Sequence, residues 1–394
     1  MILVGLLLRL SMFASMPIME IDYYRYLWDG AVLANGANPY LLSPHSIAID
    51  PDSPLQALSQ SAGFIFDRIN YPQLRSIYPP LTQLMFALSY NIDSWNLDAW
   101  RLLLLIAEIL SLTLLIVLLG ELKRSALWAA IYWWNPLVIK EAFNSAHMDS
   151  LLVPFILLSI LMLLRSRPVI SSALLTLAAG IKLWPLLLLP FSLRPLISKP
   201  KQLLIALIII ATLGLIVVGP LLYYGLGENS GLVGFSQDWQ RNAGGFQLIL
   251  AACKLIIADA GLLSPEILAR LILALFLVVL VTGLNFRASA PNYQLVIRIT
   301  WVIAALFLLS PTQFPWYYLW LLPLLSLYPE RGLILLTALL PVYYLRFYFD
   351  ARDQANVFDN YLVWIQYLPV FAVILIDRYR NYKTIQEPTG HVSE

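Results

Sequence analysis

Apolar residues run along this chain in long blocks rather than in alternation with polar ones. The clearest, LLIALIIIATLGLIVVGPLLYY (203–224), has the roughly 20 residues that a helix needs to cross the hydrocarbon of a bilayer. Similar blocks at 1–17, 98–120, 126–143, 149–165, 266–285, 292–310, 316–328, 332–347 and 361–377 read as further spans. Two short segments, 168–181 and 183–196, meet at GIKLWP. The stretches 78–92 and 246–258 are shorter and carry polar interruptions, which lays them along the interface. A β-barrel would instead show segments of about ten residues with alternating polarity. The pattern predicts an all-α polytopic membrane protein, a single membrane-embedded domain over 1–394 with about 10–12 transmembrane helices.

Orientation follows from the excess of Lys and Arg on cytoplasmic turns. With 78–92 not crossing, one face collects the turns ELKRS, RSR and SKPK together with Arg287, Arg331, Arg378, Arg380 and Lys383. That face is cytoplasmic, and so are the N-terminus and the tail 378–394. The opposite face holds a large first extracytoplasmic loop, 18–97, and further outer loops at 225–265 and 348–360. Long loops in a compact protein are usually functional, and most of the acids lie there. Residues 1–17 are slightly short for a crossing and contain Arg9, which is expected to snorkel. No small-residue cleavage motif precedes the acids, so this run reads as an uncleaved anchor or a clipped start rather than a removed signal peptide.

Composition narrows the function classes. Of 394 residues, 60% are hydrophobic and only 12% charged, against roughly a quarter charged in a soluble domain. A net charge of +2 is too small to indicate nucleic acid. The single Cys253 excludes an intramolecular disulfide. His45, His147 and His391 are scattered, no Cys/His set has zinc-ligand spacing, and no P-loop or strand-bound GxGxxG occurs.

Against this apolar background, MEIDYYRYLWDGAVLANGANPY (19–40) gathers Glu20, Asp22, Arg25 and Asp29 beside Tyr23, Tyr24, Tyr26 and Trp28. Carboxylates at i and i+2 on a membrane boundary are partly desolvated, which raises their pKa and suits a general base. Carboxylates bind hydroxyls and aromatic faces bind the C–H surface of sugars, so the stretch suits a polyol; solvated loop acids are the plain alternative. Trp133, Trp134 and Trp320 read as an interfacial belt. In NSAHMDS (144–150), His147 and Asp149 form a polar pair facing outward, or Asp149 caps the next helix. Lys182, between two apolar segments near the outer leaflet, is costly and hence functional by default. It wants an anion such as a lipid phosphate, or pairs with Glu108 or Glu141. Weaker signals are Arg75 and Tyr78 around SIYPPLTQ, the broken helix end SPTQFPWYYLW, and Asp238, Trp239 and Arg241 in FSQDWQRNAGGFQ.

The blocks EIDYYRYLWDG, GANPY, SIYPPLTQ, WNPLVIKEAFNSAHMD and GIKLWPLLLLPF, in this order, resemble the polyprenol-phosphate-mannose-dependent mannosyltransferases of the GT-C fold. The likeness is to glycosyltransferase family 87 and, beyond it, to the catalytic subunit of the GPI mannosyltransferase. It covers the first half of the chain and continues into FPWYYLWLLP. It implies a GT-C-like fold and a cell-membrane, multi-pass enzyme that moves a hexose, mannose above all, from a polyprenyl-phosphate-linked sugar donor to a glycan or glycolipid acceptor. The active site then lies on the extracytoplasmic side. The family's acidic pair falls on Glu20 and Asp22, with Glu in place of the usual first Asp. Its G-H-x-D block falls on Ala146-His147-Met148-Asp149 without the glycine, and its K-x-x-P lysine on Lys182.

On that reading Asp22 is the base of an inverting displacement, with Glu20 or Asp29 orienting the acceptor. Lys182 with Arg25 or Arg75 offsets the charge growing on the lipid phosphate, and Trp28, Tyr78, His147 and Asp149 contact substrate. No cofactor is expected; a divalent metal is not required, nor is one excluded. The rival readings keep the fold with another lipid-linked sugar such as glucose or arabinofuranose, or make the chain a secondary transporter or a lipid-phosphate-binding scaffold.

Overall fold

The computed structural model describes residues 1–257, 264–286 and 292–386. Part of the outer loop 225–265 and the end of the tail, 387–394, lie outside the described residues. The described chain is helical; its one extended pairing is an isolated bridge between Arg241 and Thr312. Among the described residues six helices are long and apolar enough to cross a membrane: Leu97–Glu121, Pro200–Val217, Pro265–Phe286, Asn292–Leu309, Arg331–Asp350 and Ala355–Arg380. The pair Pro136–Asn144 and Met148–Leu164 makes a seventh if taken as one span, bent by 106°. Shorter apolar helices are Ile2–Ala14, Pro168–Ala179 and Gly244–Ile256.

The other hydropathy segments are broken into short pieces, and proline accounts for the breaks. Pro185, Pro190 and Pro195 divide 183–196 into short turns, and Pro315 opens a 3-10 turn, Pro315–Trp320, ahead of Leu322–Leu327. A proline removes one backbone donor and clashes with the preceding turn. The freed backbone polar groups are tolerated where they line a cavity.

Helices used below are α1 (Ile2–Ser11), α2 (Asp22–Ala34), α3 (Pro80–Ile92), α4 (Leu97–Glu121), α5 (Val153–Leu164) and α6 (Pro168–Ala179). Arg9 on α1 does not snorkel. It is fully buried, with its guanidinium 2.8 Å from Glu108 Oε2 on α4, donating to the Trp133 carbonyl and lying 3.5 Å above the Trp133 ring. Tyr132 donates to the same Glu108. Trp133 is therefore core, while Trp134 stays exposed as a belt residue would.

The large first loop is folded rather than open. α2 is buried along Tyr23–Val32 and packs on α3. Gly30 is required there, because a Cβ would sit 2.4 Å from the Phe86 carbonyl oxygen. The Arg25–Asp29 pair, 2.8 Å apart, ties the following segment down. Arg25 donates to the Leu74 carbonyl, and Asp29 accepts from Ser76 Oγ and Gln83 Nε2.

Candidate active site

Several of these broken elements converge on one cavity of about 660 Å³. Its acidic side begins where the chain enters α2. The residues before it are held by Asn144 and Arg101. Asn144 donates to Ser15 and the Met16 carbonyl and accepts from the Ile18 amide, and Arg101 donates to the Ser15 carbonyl. The same Arg101 binds the Phe143 and Asn144 carbonyls. One buried guanidinium thus fixes both the entry to α2 and the bend at 144–148.

Asp22 lies in the first turn of α2, where unpaired helix amides favour a negative charge. Its Oδ1 accepts from Asn70 Nδ2 at 2.6 Å, and Oδ2 lies 3.8 Å from His147 Nδ1. Burial raises the Asp22 pKa, while the Asn70 hydrogen bond and the Lys182 charge oppose the rise. Glu20 is more strongly perturbed. Burial first, then the neighbouring Asp22 and Glu141 carboxylates, push it up to about 9, and its Oε1 is buried with no hydrogen-bond partner among the described residues. The two environments differ: burial and neighbouring carboxylates favour the protonated form of Glu20, whereas the Asn70 hydrogen bond and the Lys182 charge favour the carboxylate of Asp22.

The bend carries the next residues. Lys140–Asn144 form a π-turn, a distortion often found at functional sites, and Ala146 sits at φ 57°, left-handed for a residue with a Cβ. His147 is buried and stacked on Trp316 at 4.0 Å. Its Nε2 faces Glu141 Oε2 at 3.6 Å, and its Nδ1 is 3.5 Å from the Tyr26 hydroxyl. Glu141 also accepts from Tyr344, which is bonded to Lys140.

Lys182 follows α6, and its Nζ reaches Asp149 Oδ1 at 2.6 Å, neither Glu108 nor Glu141. Trp320 Nε1 donates to the same oxygen at 2.6 Å, so Asp149 serves an ion pair rather than a helix cap. The ammonium lies 3.7 Å from the Tyr317 ring centre and 4.8 Å from that of Trp320. Trp320 is therefore part of the site wall, not of an interfacial belt.

The cavity lining brings together Glu20, Asp22, Arg25, Arg75, Tyr78, Asp149 and Lys182. His147 sits directly behind it, in reach of Asp22. Trp28 and Asp29 do not line it: Trp28 packs in the core against Phe66 at 4.6 Å, and Asp29 is taken up by Arg25, Ser76 and Gln83. Trp239 and Arg241 line the cavity; the Asp238 side chain lies outside the described residues. Among the described residues no group of three or more His, Cys, Asp and Glu side chains is arranged to hold a metal ion.

Some lining residues were not singled out from sequence. An aromatic wall runs from Tyr71 to Trp239 (4.7 Å between ring centres), Phe314 (6.3 Å), Trp316 (4.3 Å) and His147. Its second half comes from FPWYYLW, which the sequence marks as a broken helix end and as a continuation of the family resemblance, without assigning its rings to the site. Arg346 also lines the cavity, paired with Asp359 at 3.0 Å. An arginine inside the apolar run VYYLRFYF is a signal of the kind that marks functional positions in a membrane.

Comparison with known proteins agrees with these features. Residues 3–197 match the family described as alpha-(1->6)-mannopyranosyltransferase, N-terminal domain. A curated relative, alpha-(1->6)-mannopyranosyltransferase A of Mycobacterium tuberculosis (strain H37Rv), is 24% identical over 330 residues. The match covers 78% of this chain and 61% of the relative, so the chain spans about three fifths of the relative's length. No solved structure matches. The N-terminal half of the chain is thus similar to this mannopyranosyltransferase family.

Proposed function

We propose that this protein is a mannopyranosyltransferase of the family its N-terminal half resembles, and that it transfers a hexose, mannose first among candidates, from a polyprenyl-phosphate-linked donor to a glycan or glycolipid acceptor. One observation carries the reading: a single cavity sets two unlike carboxylates, Glu20 and Asp22, among cations and stacked rings. A neutral hexose needs hydroxyl acceptors and aromatic faces, and a lipid phosphate needs positive charge. Both are supplied within one enclosure.

In the reaction, Asp22 takes the proton of an acceptor hydroxyl. The oxygen attacks the anomeric carbon as the bond from that carbon to the phosphate oxygen breaks, and the electron pair leaves with the lipid phosphate. The transition state is oxocarbenium-like, and cations facing the leaving oxygen stabilise its growing charge. Protonated Glu20 donates a hydrogen bond to a sugar or acceptor oxygen without repelling Asp22. An α-linked product formed by inversion requires a donor in which the sugar is β-linked to phosphate. Because the acids fall on the side opposite the Lys- and Arg-rich turns, the site is assigned to the extracytoplasmic face of the cell membrane.

Purified protein reconstituted with polyprenyl-phosphate-mannose and a mannoside acceptor tests this directly. Transfer of labelled mannose that disappears in Asp22→Asn supports the reading. Absence of both transfer and donor binding in the wild-type protein overturns it. Polyprenyl-phosphate-glucose and polyprenyl-phosphate-arabinofuranose in parallel tubes identify the sugar.

A further inference from the structure

The cavity holds five cationic side chains, Arg25, Arg75, Lys182, Arg241 and Arg346, and they are not equivalent. Three already have a carboxylate. Arg25 is 2.8 Å from Asp29, Lys182 is 2.6 Å from Asp149, and Arg346 makes two contacts with Asp359, at 3.0 and 3.2 Å. Arg75 and Arg241 have no acidic partner among the described residues. A charge already neutralised by a carboxylate gives a second anion little net attraction, whereas an unpaired guanidinium offers a bidentate fork to phosphate oxygens.

These two arginines, without an acidic partner among the described residues, are also held in unlike ways that both favour a ligand. Arg241 has a fixed backbone: its amide donates to the Pro311 carbonyl and its carbonyl accepts from the Gln313 amide. The next residue, Asn242, is buried and left-handed (φ 53°), and it bonds to the Gln313 carbonyl, Gln366 and Tyr367. The anchoring is complete up to Cα, yet the guanidinium itself bonds only the neighbouring Gln240 carbonyl. Arg75 is placed by its backbone amide, which donates to the Asn229 carbonyl, and by close packing of Gly231 on its carbonyl. The lining of the same cavity also includes the apolar side chains of Leu232, Phe235 and Leu306.

We infer that Arg75 and Arg241 together form the subsite for the phosphate of a lipid-linked substrate, with these apolar side chains receiving the first part of its hydrocarbon chain. This rests on the transferase reading above and deepens it, moving the main phosphate contact away from Lys182 and Arg25. Arg241 lies beyond residues 3–197, so the second half of the chain contributes directly to substrate binding. Lys182 instead holds Asp149 and the Tyr317 and Trp320 rings in place.

The test measures binding of polyprenyl phosphate, without sugar, to full-length protein in detergent, with inorganic phosphate as a second probe. The variants are Arg241→Ala, Arg241→Lys and Arg75→Ala, with Lys254→Ala as a control for a charge far from the cavity and thermal unfolding as a check on folding. The expected result is a loss of at least tenfold in polyprenyl phosphate affinity for either alanine variant and a smaller loss for Arg241→Lys. Lys254→Ala should bind as wild type, and inorganic phosphate should bind far more weakly than the lipid. Wild-type polyprenyl phosphate affinity in folded Arg241→Ala and Arg75→Ala overturns the assignment, as does equal affinity for inorganic phosphate. The failures are separable: a wild-type protein that transfers sugar while both arginine variants bind normally refutes only this subsite. A wild-type protein that neither transfers nor binds refutes the transferase reading itself.

Discussion

The Lys182–Asp149–Trp320 node is the most tightly built part of the cavity wall, and replacing Lys182 with Met tests it. Methionine keeps an unbranched apolar stem against Tyr317 and Trp320 while deleting the ammonium. Asp149 is 2% exposed and Lys182 24% exposed at the side chain, so this is a buried pair with one edge open to the cavity. Removing one partner of such a pair costs about 3–5 kcal/mol, because the other charge is left in low dielectric. The open edge and the remaining Trp320 hydrogen bond bring the expectation to about 3 kcal/mol. At this chain length that corresponds to roughly 5 °C or less in the unfolding midpoint.

The double variant Lys182→Met/Asp149→Leu makes the test specific. If the penalty of the single variant comes from a stranded carboxylate, deleting that carboxylate must recover most of it. What remains is the unpaired Trp320 N–H, about 1–2 kcal/mol. The assay is unfolding of purified protein in detergent, followed by tryptophan fluorescence and repeated on all four members of the cycle. A double variant as unstable as the sum of the two single ones would refute the reasoning, since independent contributions add and paired charges do not.

Asp22→Asn should lower the transfer rate by about 10²–10⁴-fold, the usual worth of a general base, and leave polyprenyl phosphate affinity within about twofold; steady-state rates and lipid binding measured on one preparation check both. Glu20 binds its proton in the folded state up to a pH of about 9, against an ordinary value of 4.5. The folded state thus holds more protons than the unfolded one between these values, and its stability is full below about 4.5 and lost as pH rises through 9. Glu20→Gln should flatten the midpoint-against-pH curve over that range; an unchanged slope contradicts the assignment. Ala146→Gly relieves a left-handed φ of 57°, about 1–2 kcal/mol, against the loss of one buried methyl, about 0.8 kcal/mol. Its unfolding midpoint should therefore equal or slightly exceed that of wild type, and a marked fall would refute the strain argument. Cysteine placed at exposed Asp52 should react with an impermeant maleimide in intact cells, whereas buried Cys253 should not; protection of the new cysteine until the cells are opened reverses the topology.

How much of this was legible in the sequence depended on distance along the chain. Hydropathy identified the long helices because a crossing segment is a local property: Leu97–Glu121 and Pro265–Phe286 follow the blocks 98–120 and 266–285 closely. The breaks were legible as well, since Pro185 and Pro315 act on their own backbone. The acids Glu20 and Asp22 stood out because charge is rare in this chain. Pairing was not legible. Lys182 had two candidate carboxylates, Glu108 and Glu141, and the fold uses neither: Lys182 takes Asp149, 33 positions away, while Glu108 and Glu141 are held by Arg9 and by the Lys140–Tyr344 pair.

The same limit explains why Asp29 and Trp28 looked like site residues. They share a helix with Asp22, but Trp28, six positions on, turns to another face, and Asp29, seven positions on and on the same face, lies about 10 Å farther along the axis, where Arg25, Ser76 and Gln83 take it up. In α2 the cavity takes Asp22, Arg25 and Tyr26, an i, i+3, i+4 stripe, while Trp28 and Asp29 face Phe66 and the 74–83 segment. A cluster of charges in sequence therefore divides by helical phase and by position along the helix axis into residues that line the cavity and residues that hold the frame. The two arginines that lack an acidic partner among the described residues obey a different rule. Arg75 and Arg241 became distinguishable from Arg25, Lys182 and Arg346 only once Asp29, Asp149 and Asp359 had been matched to their cations, a balance set by tertiary packing and not by local sequence.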